Sequence, residues 1–208
     1  MRSSKKFRAG VGLFAGSLLL LAGAAAAQAD ETQYGEEGVE VTVGIKQLPG
    51  LLTLTVASNA TALTEGTSVD PLLREFTGVL PTVRVTDTRD PADIADDAMW
   101  YVLGSATDFA GDFGQPNIPV DNFGWEPALT GPNDGNGVVT EGGPVGTALD
   151  STAGPGLVDQ ELLYTTTDPS ETIVAEEYWM ATADLVLKTD ITVDPGVYTS
   201  TLTLSLFE

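Results

Sequence analysis

The side chains best suited to chemistry in this 208-residue chain are aromatic rings rather than nucleophiles. Trp100 and Tyr101 stand side by side in the middle of the chain, and Trp125 follows at the end of an apolar stretch. An aromatic ring offers a large apolar face while its polar edge keeps a hydrogen bond, so these side chains could form a platform for sugar rings. A tryptophan in the middle of a β-sandwich is often a core residue instead, and the sequence leaves both roles open.

Carboxylates form two clusters that could hold a hard cation such as Ca²⁺, which takes several oxygen ligands. One cluster comprises Asp90, Asp93, Asp96 and Asp97, and the other is the segment Asn133-Asp134-Gly135-Asn136-Gly137. Neither has the D-x-D-x-D-G spacing of a calcium loop. We interpret both as solvated acidic surface, and we predict no metal and no cofactor.

Composition excludes most catalytic arrangements. The chain has neither histidine nor cysteine, which removes Ser-His-Asp and Cys-His sites and zinc sites ligated by histidine. Its 30 acidic residues always allow a carboxylate pair at the separation that glycosidases use, but no pattern singles one out. A Lys–Asn isopeptide bond would need Lys46 or Lys188, the two lysines beyond the first 30 residues. We predict that the protein is not an enzyme.

The first residues have the order of a secretory signal peptide. Four basic residues come first, namely Arg2, Lys5, Lys6 and Arg8. An apolar run rich in Gly and Ala follows over residues 11–27, and Ala27-Gln28-Ala29 is an A-x-A cleavage site. A transmembrane anchor is the alternative, because the run approaches spanning length. We expect residues 1–29 to be removed, which leaves a secreted mature chain without a membrane span.

Removing residues 1–29 makes the chain strongly acidic. The whole chain has a formal net charge of −21. Four of its nine basic residues and none of its 30 acidic residues lie in that segment, which leaves five against 30, a net charge of −25. Such a surface repels nucleic acid and anionic lipid, so neither is an expected partner. Without cysteine, stability outside the cell has to come from an apolar core.

Short stretches of alternating apolar and polar residues predict β-strands along most of the chain. The predicted strands cover residues 39–45, 51–56, 79–86, 99–106, 118–125, 161–166, 173–177, 181–187 and 198–206. In the last strand Tyr198, Leu202, Leu204 and Leu206 share one face, and threonine and serine occupy the other. A period of two predicts one buried and one wet face.

Closely spaced strands and many Gly and Pro turns predict an all-β fold, a single antiparallel β-sandwich of Ig-like or Greek-key-like type. The sandwich would span residues 39–208, after a flexible acidic leader at 30–38. Residues 68–76 could form a short helical turn after Pro71. Residues 130–155 form a long tract rich in Gly, Pro, Asn and Asp, and so long a loop in a compact domain is either functional or mobile.

Several short motifs follow one another in a recognisable order. They are Val85-Thr86-Asp87-Thr88-Arg89, Trp100-Tyr101-Val102, Ala106-Thr107-Asp108-Phe109, Asn117-Ile118-Pro119-Val120, Trp125-Glu126-Pro127 and the closing segment from Gly196 to Leu206. This order resembles the WxL-domain cell-surface proteins of Gram-positive bacteria, in particular their divergent actinobacterial type, over residues 39–208. Two positions depart from the family: the first W-x-L motif reads Trp-Tyr-Val, and Leu204 stands where the second has tryptophan.

The resemblance implies an exported β-sandwich held non-covalently at the cell wall by peptidoglycan, with a membrane-anchored surface protein as a further partner. The ligand contacts that it implies are Trp100, Tyr101, Val102, Trp125, Leu204 and Leu206. We therefore expect a secreted, non-enzymatic protein of the cell wall or extracellular surface. The alternative is a structural fibre or pilus-type subunit, or an adhesion module, that assembles by β-strand addition through the alternating residues 39–45.

Overall fold

The computed structural model describes residues 43, 50–95, 97–131, 139–166, 168 and 178–208. The chain divides into two units, residues 1–45 and residues 46–208. Val43 is the described residue of the first unit and is 78 % exposed. The predicted signal peptide, the leader, the rest of the strand at 39–45 and the strand at 173–177 lie outside the described residues. All elements named below belong to the second unit.

The described residues form twelve strands and two single-turn 3₁₀ helices. The strands are β1 (Leu52–Val56), β2 (Thr64–Glu65), β3 (Leu73–Val79), β4 (Val83–Asp87), β5 (Trp100–Ala106), β6 (Ala110–Gly111), β7 (Phe123–Thr130), β8 (Val139–Glu141), β9 (Glu161–Thr166), β10 (Tyr178–Asp190), β11 (Tyr198–Thr199) and β12 (Leu202–Phe207), and the helices cover Pro91–Asp93 and Val120–Asn122. The named strands pair antiparallel. The predicted all-β, sandwich-like fold is thus confirmed. The described residues include no helix long and apolar enough to cross a membrane.

β10 is the centre of the first sheet. It pairs with β7 on one edge, and on the other with β4 and then with β3. β1 extends the sheet beyond β4, and β2 extends it beyond β3. The 13 residues of β10 alternate, so that Trp179, Ala181, Ala183, Leu185 and Leu187 are buried on one face. β10 therefore pairs with three strands, β3, β4 and β7, and holds them in one sheet.

β3 and β4 pair with β10 one after the other and are separated at residues 80–82. The Leu80 N–H still donates to the Ala183 carbonyl at 2.9 Å, and the Thr182 hydroxyl donates to the Leu80 carbonyl at 2.6 Å. Pro81 has no N–H with which to continue a ladder. The regular pairing therefore stops at Pro81 and resumes in β4.

The helical turn expected within residues 68–76 is wrong. Asp70 forms a turn here by accepting a hydrogen bond from the Leu72 N–H at 2.8 Å, and β3 starts at Leu73. The extended conformation wins because β10 offers a partner edge along the whole of β3. Tertiary pairing of this kind overrides a weak local turn signal.

β7 lies further along the chain than the strand predicted at residues 118–125. That stretch includes a 3₁₀ turn, and β7 continues through Pro127 to Thr130. Trp125 exchanges backbone hydrogen bonds with Val145, away from β10. Pro127 faces the same edge two residues later, so its missing N–H removes no hydrogen bond to β10.

The tract at residues 130–155 is tied to the sandwich where the structure describes it. Trp125 and Val145 exchange two backbone hydrogen bonds, of 3.0 and 2.8 Å. Just beyond the tract, the Leu157 N–H donates to the Phe123 carbonyl at 2.8 Å. These bonds cover the edge of β7 that β10 does not use.

The second sheet has the strand order β12-β5-β9-β8. Trp100, Val102 and Gly104 of β5 are buried, and the residues between them face outward. Ser200 and Thr201 divide the predicted final strand into β11, which pairs with β6, and β12. Its inward face is as predicted, since the four residues expected there pack against the core.

Aromatic rings fill the space between the two sheets. The ring centroid of Trp100 lies 5.8 Å from that of Trp179 and 5.4 Å from that of Tyr164. Trp125 lies against β5 so closely that a Cβ on Gly104 would come within 2.5 Å of the Trp125 ring. Each buried aromatic side chain removes roughly 150–250 Å² from water. These rings therefore add to the apolar core that holds together a chain without disulfides.

Candidate functional site

Five of the six expected ligand contacts lie on the second sheet, divided between its two faces, and Trp125 lies on β7 of the first sheet. Trp100, Val102 and Trp125 are at most 1 % exposed. They therefore offer no surface to a glycan in this structure, and the platform expected from Trp100, Tyr101 and Trp125 does not form. The alternation of β5 is the reason, because residues 100 and 102 point inward whereas Tyr101 points outward.

Leu204 and Leu206 also point inward, where they are partly buried and pack against the core. Their strand, β12, is the direct neighbour of β5. Leu206 lies opposite Val102, and Leu204 lies opposite Gly104. The two W-x-L-like segments thus meet on adjacent strands, but their apolar residues face the interior.

One row of side chains crosses all four strands on the outer face of the second sheet. Thr140, Thr165, Tyr101 and Phe207 follow one another in register from β8 to β12. The rings of Tyr101 and Phe207 stack, with centroids 5.4 Å apart and planes inclined by 20°. Tyr101 is partly exposed and Phe207 is 38 % exposed. Of the three aromatic residues expected to form a platform, Tyr101 is the one on this surface, and Phe207 stacks on it in place of a tryptophan.

Leucine and hydroxyl-bearing side chains surround the stacked pair. Leu103 lies beside Ser205 and Leu162, and Ser105 lies opposite Thr203. We call the set the hydroxyl–aromatic face; it comprises Tyr101, Leu103, Ser105, Thr140, Leu162, Thr165, Thr203, Ser205 and Phe207. None of the nine is charged, although the whole chain has a net charge of −21. The face therefore differs chemically from the rest of the acidic surface.

Sequence reasoning missed Phe207 because the predicted final strand ended at Leu206. The signal was present, since Phe207 continues the outward positions of Thr203 and Ser205. What the sequence could not supply was the partner. A stacked pair requires that β12 and β5 are neighbours and that Phe207 lies opposite Tyr101, and both depend on the tertiary fold.

An ion-pair network fastens the end of β12 next to this face. Asp87 is fully buried and accepts hydrogen bonds from the Arg89 N–H, Nε and Nη2 at 3.1, 2.9 and 2.6 Å. Nη1 of Arg89 also donates to both carboxylate oxygens of Glu208, at 2.7 and 2.8 Å. The bond to Asp87 raises the pKa of Arg89 although burial opposes this, and Glu208 adds to the rise. The V-T-D-x-R motif thus positions the residue that follows Phe207.

Lys188 forms ion pairs with two carboxylates, whereas a Lys–Asn isopeptide bond would need its Nζ beside an Asn side chain. Its Nζ lies 2.7 Å from Asp150 Oδ1 and 3.4 Å from Glu75 Oε2. The hydrogen bond to Asp150 raises the pKa of Lys188. Burial raises the pKa of Asp150, but hydrogen bonds from Lys188 and the Thr147 N–H outweigh it and leave the pKa lowered. Both groups are therefore charged near neutral pH, and a protonated amine cannot attack the carboxamide carbon of an Asn side chain. Lys46 lies outside the described residues.

The acidic clusters do not converge where the structure describes them. Asp90 caps the first 3₁₀ helix by accepting a hydrogen bond from the Ala92 N–H at 3.0 Å. No group of three or more acidic, histidine or cysteine side chains is placed to hold a metal ion among the described residues. Asp96 and residues 133–137 lie outside them.

The sequence and the structure were compared with known protein families, curated proteins and solved structures. No family model matches the chain, and no curated protein matches it. A solved structure of a family 123 glycoside hydrolase from Clostridium perfringens is similar over 64 % of this chain and 19 % of its own length, with 12 % identity and a TM-score of 0.31. A similarity of that extent supports no statement about the fold or the activity of this chain.

Proposed function

We propose that this chain is an exported, non-enzymatic surface protein that adsorbs to cell-wall peptidoglycan through the hydroxyl–aromatic face. The observation that carries the proposal is the stacked Tyr101–Phe207 pair in an uncharged, hydroxyl-bearing surface of a strongly acidic chain. The order of motifs that resembles WxL-domain proteins and the predicted signal peptide point in the same direction.

The chemistry of a sugar ring matches such a face. The C–H side of the ring packs on an aromatic face, and its hydroxyl groups exchange hydrogen bonds with Thr and Ser side chains. Strands hold these side chains more rigidly than loops would, which lowers the entropy lost on binding. An uncharged contact surface also reduces the repulsion between an acidic protein and the anionic groups of a cell wall.

The same face lacks what glycan hydrolysis needs. A glycosidase places two carboxyl groups on either side of the bond that it cleaves. The nine residues of the hydroxyl–aromatic face include no Asp and no Glu. We therefore expect a glycan on this face to be bound and not cleaved.

Sedimentation with purified sacculi tests the proposal. The chain from residue 30 onward should pellet with sacculi, and Tyr101→Ala or Phe207→Ala should weaken binding by about two- to tenfold, the size of one aromatic contact. Tyr178→Ala is the matched control, because Tyr178 lies on the outer face of the first sheet, where Arg84 stacks on its ring at 3.8 Å. Thermal unfolding of each variant shows that it is folded.

Two results would contradict the proposal. If the unmodified chain stays in the supernatant at every salt concentration and pH, wall binding is wrong. If Tyr101→Ala and Tyr178→Ala bind equally well, the protein binds the wall through another surface.

A further inference from the structure

A large cleft opens between the edges of the two sheets. Its volume is about 1150 Å³. Apolar side chains from both sheets line it, among them Leu54, Phe76, Leu185, Leu187, Leu202 and Leu204. Of the described residues that line it, Arg74 and Asp194 are charged. Such a cleft removes apolar surface from water only if something fills it.

Two strand edges beside this cleft are unpaired in the described part of the chain. β1 pairs with β4 alone, and β12 pairs with β5 alone. Both strands contribute side chains to the cleft. An unpaired edge presents a row of backbone N–H and C=O groups, which is a template for another strand.

A buried hydroxyl in the cleft also lacks a partner. Thr189 lines the cleft and is 1 % exposed, and its Oγ1 has no hydrogen-bond partner among the described residues. Buried hydroxyl groups are nearly always hydrogen-bonded. An occupant with apolar side chains would cover the apolar lining of the cleft, and its backbone polar groups could bond to the free strand edges and to the Thr189 hydroxyl. A β-strand has both.

Residues 39–45 have the pattern that such an occupant needs. Val39, Val41, Val43 and Ile45 would share one face of an extended strand, and Glu40 is the one charged residue of the segment. Seven extended residues span about 23 Å, slightly more than the six residues of β12. Val43 is 78 % exposed, so this apolar side chain is available for contact with another molecule.

We propose that the cleft receives residues 39–45 of a second copy of this chain, which add a strand beside β12. Apolar side chains of the incoming strand fill the cleft, and its backbone pairs with the free edge, as in other complexes formed by strand addition. Each copy carries this cleft and this segment, so a head-to-tail contact repeats from copy to copy and gives a ring or an open chain. This assembly does not depend on wall binding.

Disulfide trapping tests the contact, because the chain has no cysteine of its own. A Val43→Cys variant mixed with a Leu204→Cys variant should form a disulfide-linked pair after mild oxidation, seen on non-reducing gels. Thr42→Cys mixed with Leu204→Cys is the matched control and should form far less, since residue 42 lies on the opposite face of the strand. The chain from residue 30 onward is used throughout.

Sedimentation velocity gives an independent measurement. The unmodified chain should form larger species as its concentration rises, and Val43→Asp should remain a monomer with an unchanged melting temperature. Thr42→Asp adds the same charge on the other face and should assemble like the unmodified chain. A chain that stays monomeric at all concentrations, with no linked pair, overturns the proposal.

The double variant Val43→Cys/Leu204→Cys separates the two sources of the strand. Linked multimers support exchange between copies. A linked monomer, recognised by its faster migration on the gel, means that each chain fills its own cleft, which overturns the proposal in favour of self-completion. Sacculus binding by Val43→Asp should equal that of the unmodified chain, so failure of this inference is distinguishable from failure of wall binding.

Discussion

Arg89 joins two parts of the chain that lie 119 residues apart, the end of β4 and the end of β12. Its first partner, Asp87, is fully buried, whereas its second partner, Glu208, is 37 % exposed at the side chain. The two contacts should therefore contribute differently to the free energy of unfolding. Breaking a buried charge pair leaves one charge without compensation, whereas an exposed pair contributes little.

Replacing Arg89 should therefore destabilise the protein more than replacing Glu208. We expect Arg89→Met to lower the free energy of unfolding by about 2–3 kcal/mol, because the Asp87 carboxylate stays buried without its donor. Glu208→Gln should cost less than about 1 kcal/mol. Urea denaturation of both variants measures the difference. Equal losses in the free energy of unfolding would show that the Arg89–Asp87 contact stabilises the protein no more than the Arg89–Glu208 contact does.

The faces of individual residues were only partly predictable from the sequence. The final strand alternates Leu with Thr or Ser, so its inward face could be assigned. Around Trp100 both alternating sets are apolar, since Trp100 and Val102 compete with Tyr101 and Leu103. Local pattern cannot then choose the buried set, and packing between the sheets makes the choice.

β12 takes part in both proposed contacts, strand addition at the cleft and wall binding, with a different face in each. Its inward leucines border the cleft, and its outward residues belong to the hydroxyl–aromatic face. The sequence suggested that Leu204 replaces a tryptophan of the wall-binding motif. The structure places Leu204 on the inward side, close to Gly104.

Tryptophan substitutions on the two faces of β12 should behave differently. Leu204→Trp should change thermal stability, because a larger side chain enters a partly packed region, and it should leave sacculus binding unchanged. Phe207→Trp keeps an aromatic ring over Tyr101 and should preserve or strengthen binding. A gain in binding by Leu204→Trp alone would place the wall contact in the cleft.

The lengths of the elements were harder to predict than their existence. The strand predicted at residues 181–187 is the apolar middle of β10, which extends to Asp190. Its end looks unlike a strand because Lys188 and Thr189 are polar. Residues 188–190 pair with β3, and Lys188 is compensated by Asp150, so the reasons for the extension lie in distant parts of the chain.

At the scale of the whole molecule, charge governs how copies meet. After removal of the predicted signal peptide each chain carries a net charge of −25. Like charges repel over about 10 Å at 0.1 M salt and over about 3 Å at 1 M. Strand addition between two such molecules has to overcome that repulsion, whereas contact with an uncharged sugar does not.

Salt should therefore act differently on the two proposed contacts. Raising the salt concentration from about 0.1 M to about 1 M should strengthen assembly between copies, because salt screens the repulsion between the acidic chains. Binding to sacculi through the uncharged face should change little. Sedimentation velocity and the sacculus assay measure both, and assembly that weakens with salt would mean that ionic contacts, not apolar ones, hold the copies together.

The central position of β10 has a consequence for the order in which the protein can fold. β3, β4 and β7 leave the ribosome before residues 178–190 exist, yet all three pair with that strand. The first sheet therefore cannot close until residues 178–190 have been made. Contacts of such long sequence separation form slowly. The proposed export would use this delay, because a narrow secretion channel admits a chain whose first sheet has not yet closed.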